Sequence, residues 1–156
     1  MGEVIAWDDA RAAVILARHM ASKGAMLPIL HDIQEAFGCV PDQAVPAIAH
    51  ALNLSRAEVH GVVTFYHDYR HAPAGRHVLK LCQAEACQSM GCRDLAAHAR
   101  DVLGAALGQT TADGRVTVEP VYCLGLCAVA PSAMLDGKVC GRMTPAKLDR
   151  MLERLA

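Results

Sequence analysis

Two cysteine pairs limit what this chain can fold into: Cys82-Gln-Ala-Glu-Ala-Cys87 and Cys123-Leu-Gly-Leu-Cys127. Each pair falls just after an expected strand. His77-Val-Leu-Lys-Leu81 alternates in the way of a half-buried strand and ends directly at Cys82. Val116-Thr-Val118 follows an Asp113-Gly114 turn and leads towards Cys123. Thiols so placed sit where a chain leaves a sheet edge and can curl around a metal.

Soft thiolate sulfur matches iron and disperses the charge of an iron–sulfur cluster. One pair can wrap one iron, and two pairs from separate loops can hold two. Gly125 lets backbone N–H groups approach the sulfurs, and Leu124, Leu126, Ala128 and Val129 would shield a cluster from water. Structural zinc is the competing use of four cysteines, although zinc ribbons favour C-x₂-C knuckles and neither pair has that spacing. Buried, inert thiols are a third reading, and no C-x-x-C is present for dithiol exchange. Spacing leaves these open. It also leaves a register open, because Cys87-Gln-Ser-Met-Gly-Cys92 repeats the C-x₄-C interval and Cys92 could replace Cys82. Cys82 is preferred for its place at a strand end, with Cys92 packing inward at a helix start. Cys39 and Cys140 have no partner at ligand spacing and read as core or half-exposed residues.

Seven cysteines are an odd number, and a reducing compartment disfavours a disulfide framework. The N-terminal run to Met20 has no basic n-region, and arginine interrupts its apolar stretch on both sides, so it reads as an amphipathic helix and not a signal peptide. Gly2 lacks the Ser or Thr that myristoylation wants at position six, where Ala6 stands. No stretch approaches the ~18 apolar residues of a membrane span. Cytoplasmic location and no membrane insertion are expected. Lysine plus arginine at 15 nearly balance aspartate plus glutamate at 16, leaving no field to attract nucleic acid. Two Phe, three Tyr and one Trp are too few for a base-stacking platform.

The first 70 residues read as helical. Trp7 to Met20 carries a helical apolar pattern, and Pro28 opens a second segment closed by Gly38 and Pro41. A third helix spans about Ala44 to Leu52. Ser55, with Glu58 three residues on, forms a capping box for a fourth that runs to about Tyr66. The breaker cluster His71-Ala-Pro-Ala-Gly75 marks a boundary, giving a helical lobe over 1–72 and a second domain over 73–156. In the second domain, Leu95 to Leu107 reads as a helix and Met134 to Val139 as a hairpin with Asp136-Gly137 at its tip. Thr144 and Pro145 supply an N-cap and an N1 proline for a last helix, Ala146 to Leu155. The class is α/β, with four helices in front.

The run Val121-Tyr-Cys-Leu-Gly-Leu-Cys-Ala-Val-Ala-Pro131, followed by the Leu135-Asp-Gly hairpin, resembles the thioredoxin-like [2Fe–2S] ferredoxin family. Leu27-Pro-Ile-Leu-His-Asp-Ile-Gln-Glu-Ala-Phe-Gly38 and Val59-His-Gly-Val-Val-Thr-Phe-Tyr66 are similar to the helical lobe of the small subunits of NADH-linked complexes within it. Gly108 to Gly114 and Gly141-Arg-Met-Thr-Pro145 also fit, so the likeness covers nearly the whole chain. It implies a thioredoxin-like domain behind a helical docking lobe, and one [2Fe–2S] cluster on Cys82, Cys87, Cys123 and Cys127. It further implies a flavoprotein partner that binds FMN and NAD(H), and a larger iron–sulfur or molybdenum subunit. FMN, NAD and molybdenum cofactor would reside only on those partners. The loop from Cys82 to Gly91 most resembles the gamma subunits of NAD-dependent molybdenum formate dehydrogenases. The equivalent subunits of respiratory complex I and of NAD-linked hydrogenases are the alternatives.

Two readings of another class stand beside a zinc-binding adaptor. Ala44–Leu52, the Asn53-Leu-Ser55 turn and Arg56–Tyr66 have the proportions of a DNA-binding helix-turn-helix in an iron–sulfur regulator. The second helix offers only Arg56 and His60 towards phosphate or bases, which favours packing. His60, His67 and His71 could be imagined as a catalytic site, but no HExxH-type context surrounds them, and solvated or capping histidines explain them better.

Overall fold

The computed structural model describes residues 6–155. The sequence readings at Gly2 therefore lie outside the described residues. Backbone contacts divide the chain into two units, one ending at Pro73 and the other beginning at Ala74.

Four helices build the first unit: α1 (Asp9–His19), α2 (Met26–Phe37), α3 (Ala44–Leu52) and α4 (Arg56–Phe65). Asp8 caps α1 by accepting from the Ala10 and Arg11 N–H groups. Helix α2 is the core element, since Ile29, Leu30, Ile33, Ala36 and Phe37 follow a helical period and are all buried. It begins two residues before Pro28, which occupies its first turn, where a missing N–H costs nothing. Ile48, Val59 and Val63 close the core from α3 and α4, and Trp7 stacks on Phe37 with ring centroids 5.0 Å apart. Asn53 ends α3 in the left-handed region (φ 53°), and the Ser55–Glu58 capping box starts α4. The helix-turn-helix proportions have a packing origin, because α4 buries Val59 and Val63 while Arg56 and His60 stay exposed.

The second unit carries a five-stranded mixed sheet in the order β2-β3-β1-β4-β5. Its strands are β1 (His77–Cys82), β2 (Gln109–Thr110), β3 (Val116–Val121), β4 (Ala133–Leu135) and β5 (Lys138–Cys140). Strands β1 and β3 run parallel, and the other pairings are antiparallel. Helices α5 (Glu85–Ser89), α6 (Cys92–Leu103) and α7 (Pro145–Glu153) complete it. Leu79, Leu81, Val116 and Val118 from the central strands meet Leu95, Ala99, Leu148 and Leu152 from α6 and α7 in one core. Thr144 caps α7 as expected, and Asp136-Gly137 forms the hairpin tip with both φ values positive, 48° and 81°.

The expected helix Leu95–Leu107 needs correction at both ends. Gly91, at φ 88°, redirects the chain so that α6 starts at Cys92, and Gly104, at φ 66°, stops it by returning its N–H to the Arg100 carbonyl. Helix α5 and strand β2, of five and two residues, are too short to leave a periodic signal.

Candidate metal centre

Parallel pairing explains why two loops far apart in sequence can meet. Cys82 is the last residue of β1 and lies in register with Val121, the last residue of β3. Cys123 is two positions beyond that end, so both cysteine loops leave the same edge of the sheet. Crevices at the carboxyl ends of parallel strands are where such sheets place their sites.

Cys82 and Cys87 are buried and pack with Val121, Leu124 and Ala130. The short helix α5 turns the chain back between them, and the Cys87 N–H bonds the Ala84 carbonyl at 2.9 Å. Cys123 and Cys127 are exposed, with their sulfurs 3.7 Å apart. Two thiolates on one tetrahedral metal, each about 2.3 Å from it, stand ~3.8 Å apart. This half of the site already has the spacing of a metal-bound pair. Cys123 adopts φ 116° and Gly125 φ 76°, a tight loop that aims the Gly125 N–H at the Cys123 sulfur, 3.3 Å away. A non-glycine residue in that region stores about 1–3 kcal/mol of strain, which the surrounding loop must hold in place.

The thiols feel one another. Burial pushes the Cys82 thiol up, yet hydrogen bonds from the Ala84 backbone, the side chains of Cys87 and Ser132 and the Cys123 backbone outweigh it, and the net shift is downward. Cys127 is raised, first by sharing a hydrogen bond with Cys123 and then by that neighbour's charge, with smaller effects from burial, Cys87 and Cys82. All four cysteines expected as ligands thus lie within electrostatic reach at one edge.

Cys92 joins them. It is the first residue of α6, 1% exposed, and packs with Cys82 and Cys87. Burial and the charges of Cys87 and Cys82 raise its thiol, which donates to the Gln83 side-chain oxygen at 3.7 Å. Cys39 lies in the other unit, buried and raised by that burial, and Cys140 is half-buried at the end of β5.

Leu124, Leu126 and Val129 are half-buried around the second pair, while Ala128 is exposed and shields nothing. His60, His67 and His71 are exposed. Sequence reasoning missed Ser132, a fully buried hydroxyl 3.5 Å from the Cys87 sulfur. The available signal was a lone polar residue between Pro131 and the apolar start of β4. It also missed the close fit of Gly141 against Val129.

The donor set fits a two-iron cluster: four thiols in two pairs, one pair buried and one at the surface, with the Gly125 N–H turned towards one sulfur and the Ser132 hydroxyl in contact with another. Comparisons with known proteins agree. The model of the thioredoxin-like [2Fe–2S] ferredoxins matches residues 12–156. An NADH-quinone oxidoreductase subunit of Pseudomonas aeruginosa is 39% identical over 131 residues, covering 84% of this chain and 79% of that one. The HndA subunit of the NADP-reducing hydrogenase of Solidesulfovibrio fructosivorans is 33% identical over 131 residues, covering 83% and 76%. The crystal structure of an NAD⁺-reducing [NiFe]-hydrogenase in the air-oxidised state superimposes with a TM-score of 0.68 at 26% identity over 81% of this chain. This chain spans 22% of that hydrogenase chain. Fold, thiol arrangement and relatives coincide: the chain belongs to the thioredoxin-like [2Fe–2S] ferredoxin family and carries one [2Fe–2S] cluster for electron transfer.

Proposed function

We propose that the protein is the electron-transfer subunit of a flavin- and NAD(H)-linked oxidoreductase complex, with its cluster on Cys82, Cys87, Cys123 and Cys127. The observation that supports this reading is the parallel register of β1 and β3, which sends both cysteine loops off the same end of the sheet. When bound, the cluster supplies a one-electron couple. The protein's residues do the rest. Cys82 and Cys87 anchor it in the buried floor of the site, Cys123 and Cys127 keep its outer side within tunnelling reach of a partner, and the Gly125 N–H steadies the Cys123 sulfur.

Residues 1–72 form the docking lobe in this proposal, and residues 73–156 the electron-carrying domain. The partner is a flavoprotein binding FMN and NAD(H), alongside a larger iron–sulfur or molybdenum subunit, in the cytoplasm. No helix among the described residues is long and apolar enough to cross a membrane. We assign the complex as an NAD-dependent formate dehydrogenase on the strength of the Gln83-Ala-Glu-Ala86 loop between the first two thiols. The relatives favour a second reading, the equivalent subunit of an NADH-quinone oxidoreductase or of a hydrogenase.

Affinity purification of the tagged chain from its own cells, under anaerobic conditions, separates the two. Co-purification of an FMN subunit with a molybdenum-containing one, and formate-dependent NAD⁺ reduction, is the expected result. Membrane-arm subunits or a nickel–iron subunit in their place would move the assignment to the second reading, and isolation of the chain alone with zinc would end both.

A further inference from the structure

Ser132 is 1% exposed, in the loop that carries the chain from the second cysteine pair into β4. Its backbone carbonyl accepts from the Cys82 N–H at 3.0 Å, which fixes the residue against the end of β1. Its hydroxyl oxygen is 3.5 Å from the Cys87 sulfur.

In free cysteine either partner of such a contact could donate. A metal-bound thiolate has no proton, so with the cluster in place the donor must be the Ser132 hydroxyl. A buried hydroxyl without a partner is costly, which commits this one to the sulfur. We propose that Ser132 is a potential-setting residue, whose hydroxyl donates to the cluster thiolate of Cys87 and raises the cluster's reduction potential. An electron added to the cluster spreads negative charge onto its sulfurs. A fixed donor on one of them stabilises the reduced form more than the oxidised form. The contact lies on the buried pair, away from solvent, where a hydrogen bond is least screened.

The proposal rests on Cys87 being a ligand, and the experiment separates the two claims. The full-length chain is purified anaerobically as native protein and as Ser132→Ala, Ser132→Thr, Ser132→Val and Cys87→Ser variants. Each is assayed for iron and labile sulfide, for visible absorption, and for midpoint potential by EPR-monitored titration. Ser132→Ala is expected to keep its cluster and shift to a more negative potential, while Ser132→Thr, which retains the hydroxyl, stays near the native value. Threonine and valine have the same shape, so their difference reads the hydroxyl alone even if alanine fails to load, and valine must lie on the negative side. Equal potentials for threonine and valine, or an unshifted Ser132→Ala, overturn the inference. An unaltered cluster in Cys87→Ser overturns the ligand set beneath it, whatever the serine variants show.

Discussion

A β-carbon built on Gly141 would stand 2.5 Å from Val129 Cγ2 and 2.8 Å from the Val129 carbonyl oxygen. The segment that leaves β5 therefore passes directly over the loop that follows Cys127. The next residue, Arg142, donates its N–H to that same carbonyl at 2.6 Å, and Met143 donates to the Pro131 carbonyl at 2.9 Å. Glycine is required for this approach, because backbone at such distances cannot yield as a flexible side chain can.

Gly141→Ala accordingly pushes the loop off its seat. We expect a loss of about 1–3 kcal/mol in stability, the usual cost of overpacking, together with faster loss of iron, because Val129 is two residues from Cys127. Urea unfolding and iron release to a chelator measure the two effects. Native behaviour in both would show that the loop does not depend on this contact.

The cysteines divide by position. Serine at Cys123 or Cys127 is expected to abolish the cluster or leave a visibly altered, oxygen-ligated one, and serine at Cys82 or Cys87 likewise. Cys39→Ser, Cys92→Ser and Cys140→Ser should keep full iron and an unchanged spectrum. A bleached Cys92→Ser protein beside a coloured Cys82→Ser protein would shift the ligand register by one C-x₄-C step.

The capping box of α4 should make stability pH-dependent. The Ser55 backbone N–H and hydroxyl hold the Glu58 carboxyl below its usual range. A lowered folded pKa gives stability that is complete above the ordinary glutamate value of about 4.3 and is lost as pH falls through the folded value. The stability gap between native protein and Glu58→Gln should therefore be wide near neutral pH and narrow in acid. Urea titrations followed by circular dichroism at about pH 6 and about pH 3.5 test this. A gap of constant size would contradict it.

Separating the chain at the Pro73–Ala74 division tests the role given to the helical lobe. The second unit has its own core in Leu79, Leu81, Val116, Val118, Leu95 and Leu148. Residues 74–156 alone are expected to fold and to stay coloured, yet to lose assembly with the flavoprotein in a pull-down. Retained assembly would remove the docking role.

Much of this was legible in the sequence because local chemistry and the global fold agree. Ser55 and Glu58, Thr144 and Pro145, and Asp136-Gly137 each mark a cap or turn that the structure contains. The β1 strand ends at Cys82 as its alternation predicts. What escaped was set by contacts between distant segments. The start of α6 at Cys92 depends on the positive φ of Gly91, and no periodic pattern announces a helix as short as α5. Ser132 reads as an ordinary loop serine until the pairing of β1 with β4 brings it beside Cys87. Cys82 and Cys123 become neighbours only through the parallel register of β1 and β3, which spacing along the chain does not encode.

The most direct test of the central claim is metal and sulfide analysis of the anaerobically purified chain, joined to EPR after one-electron reduction. The account predicts two irons and two acid-labile sulfides per chain, with a low-temperature signal from a single unpaired electron that Cys123→Ser abolishes or changes. A colourless protein holding one zinc, or an iron signal that survives replacement of all four thiols, would contradict it.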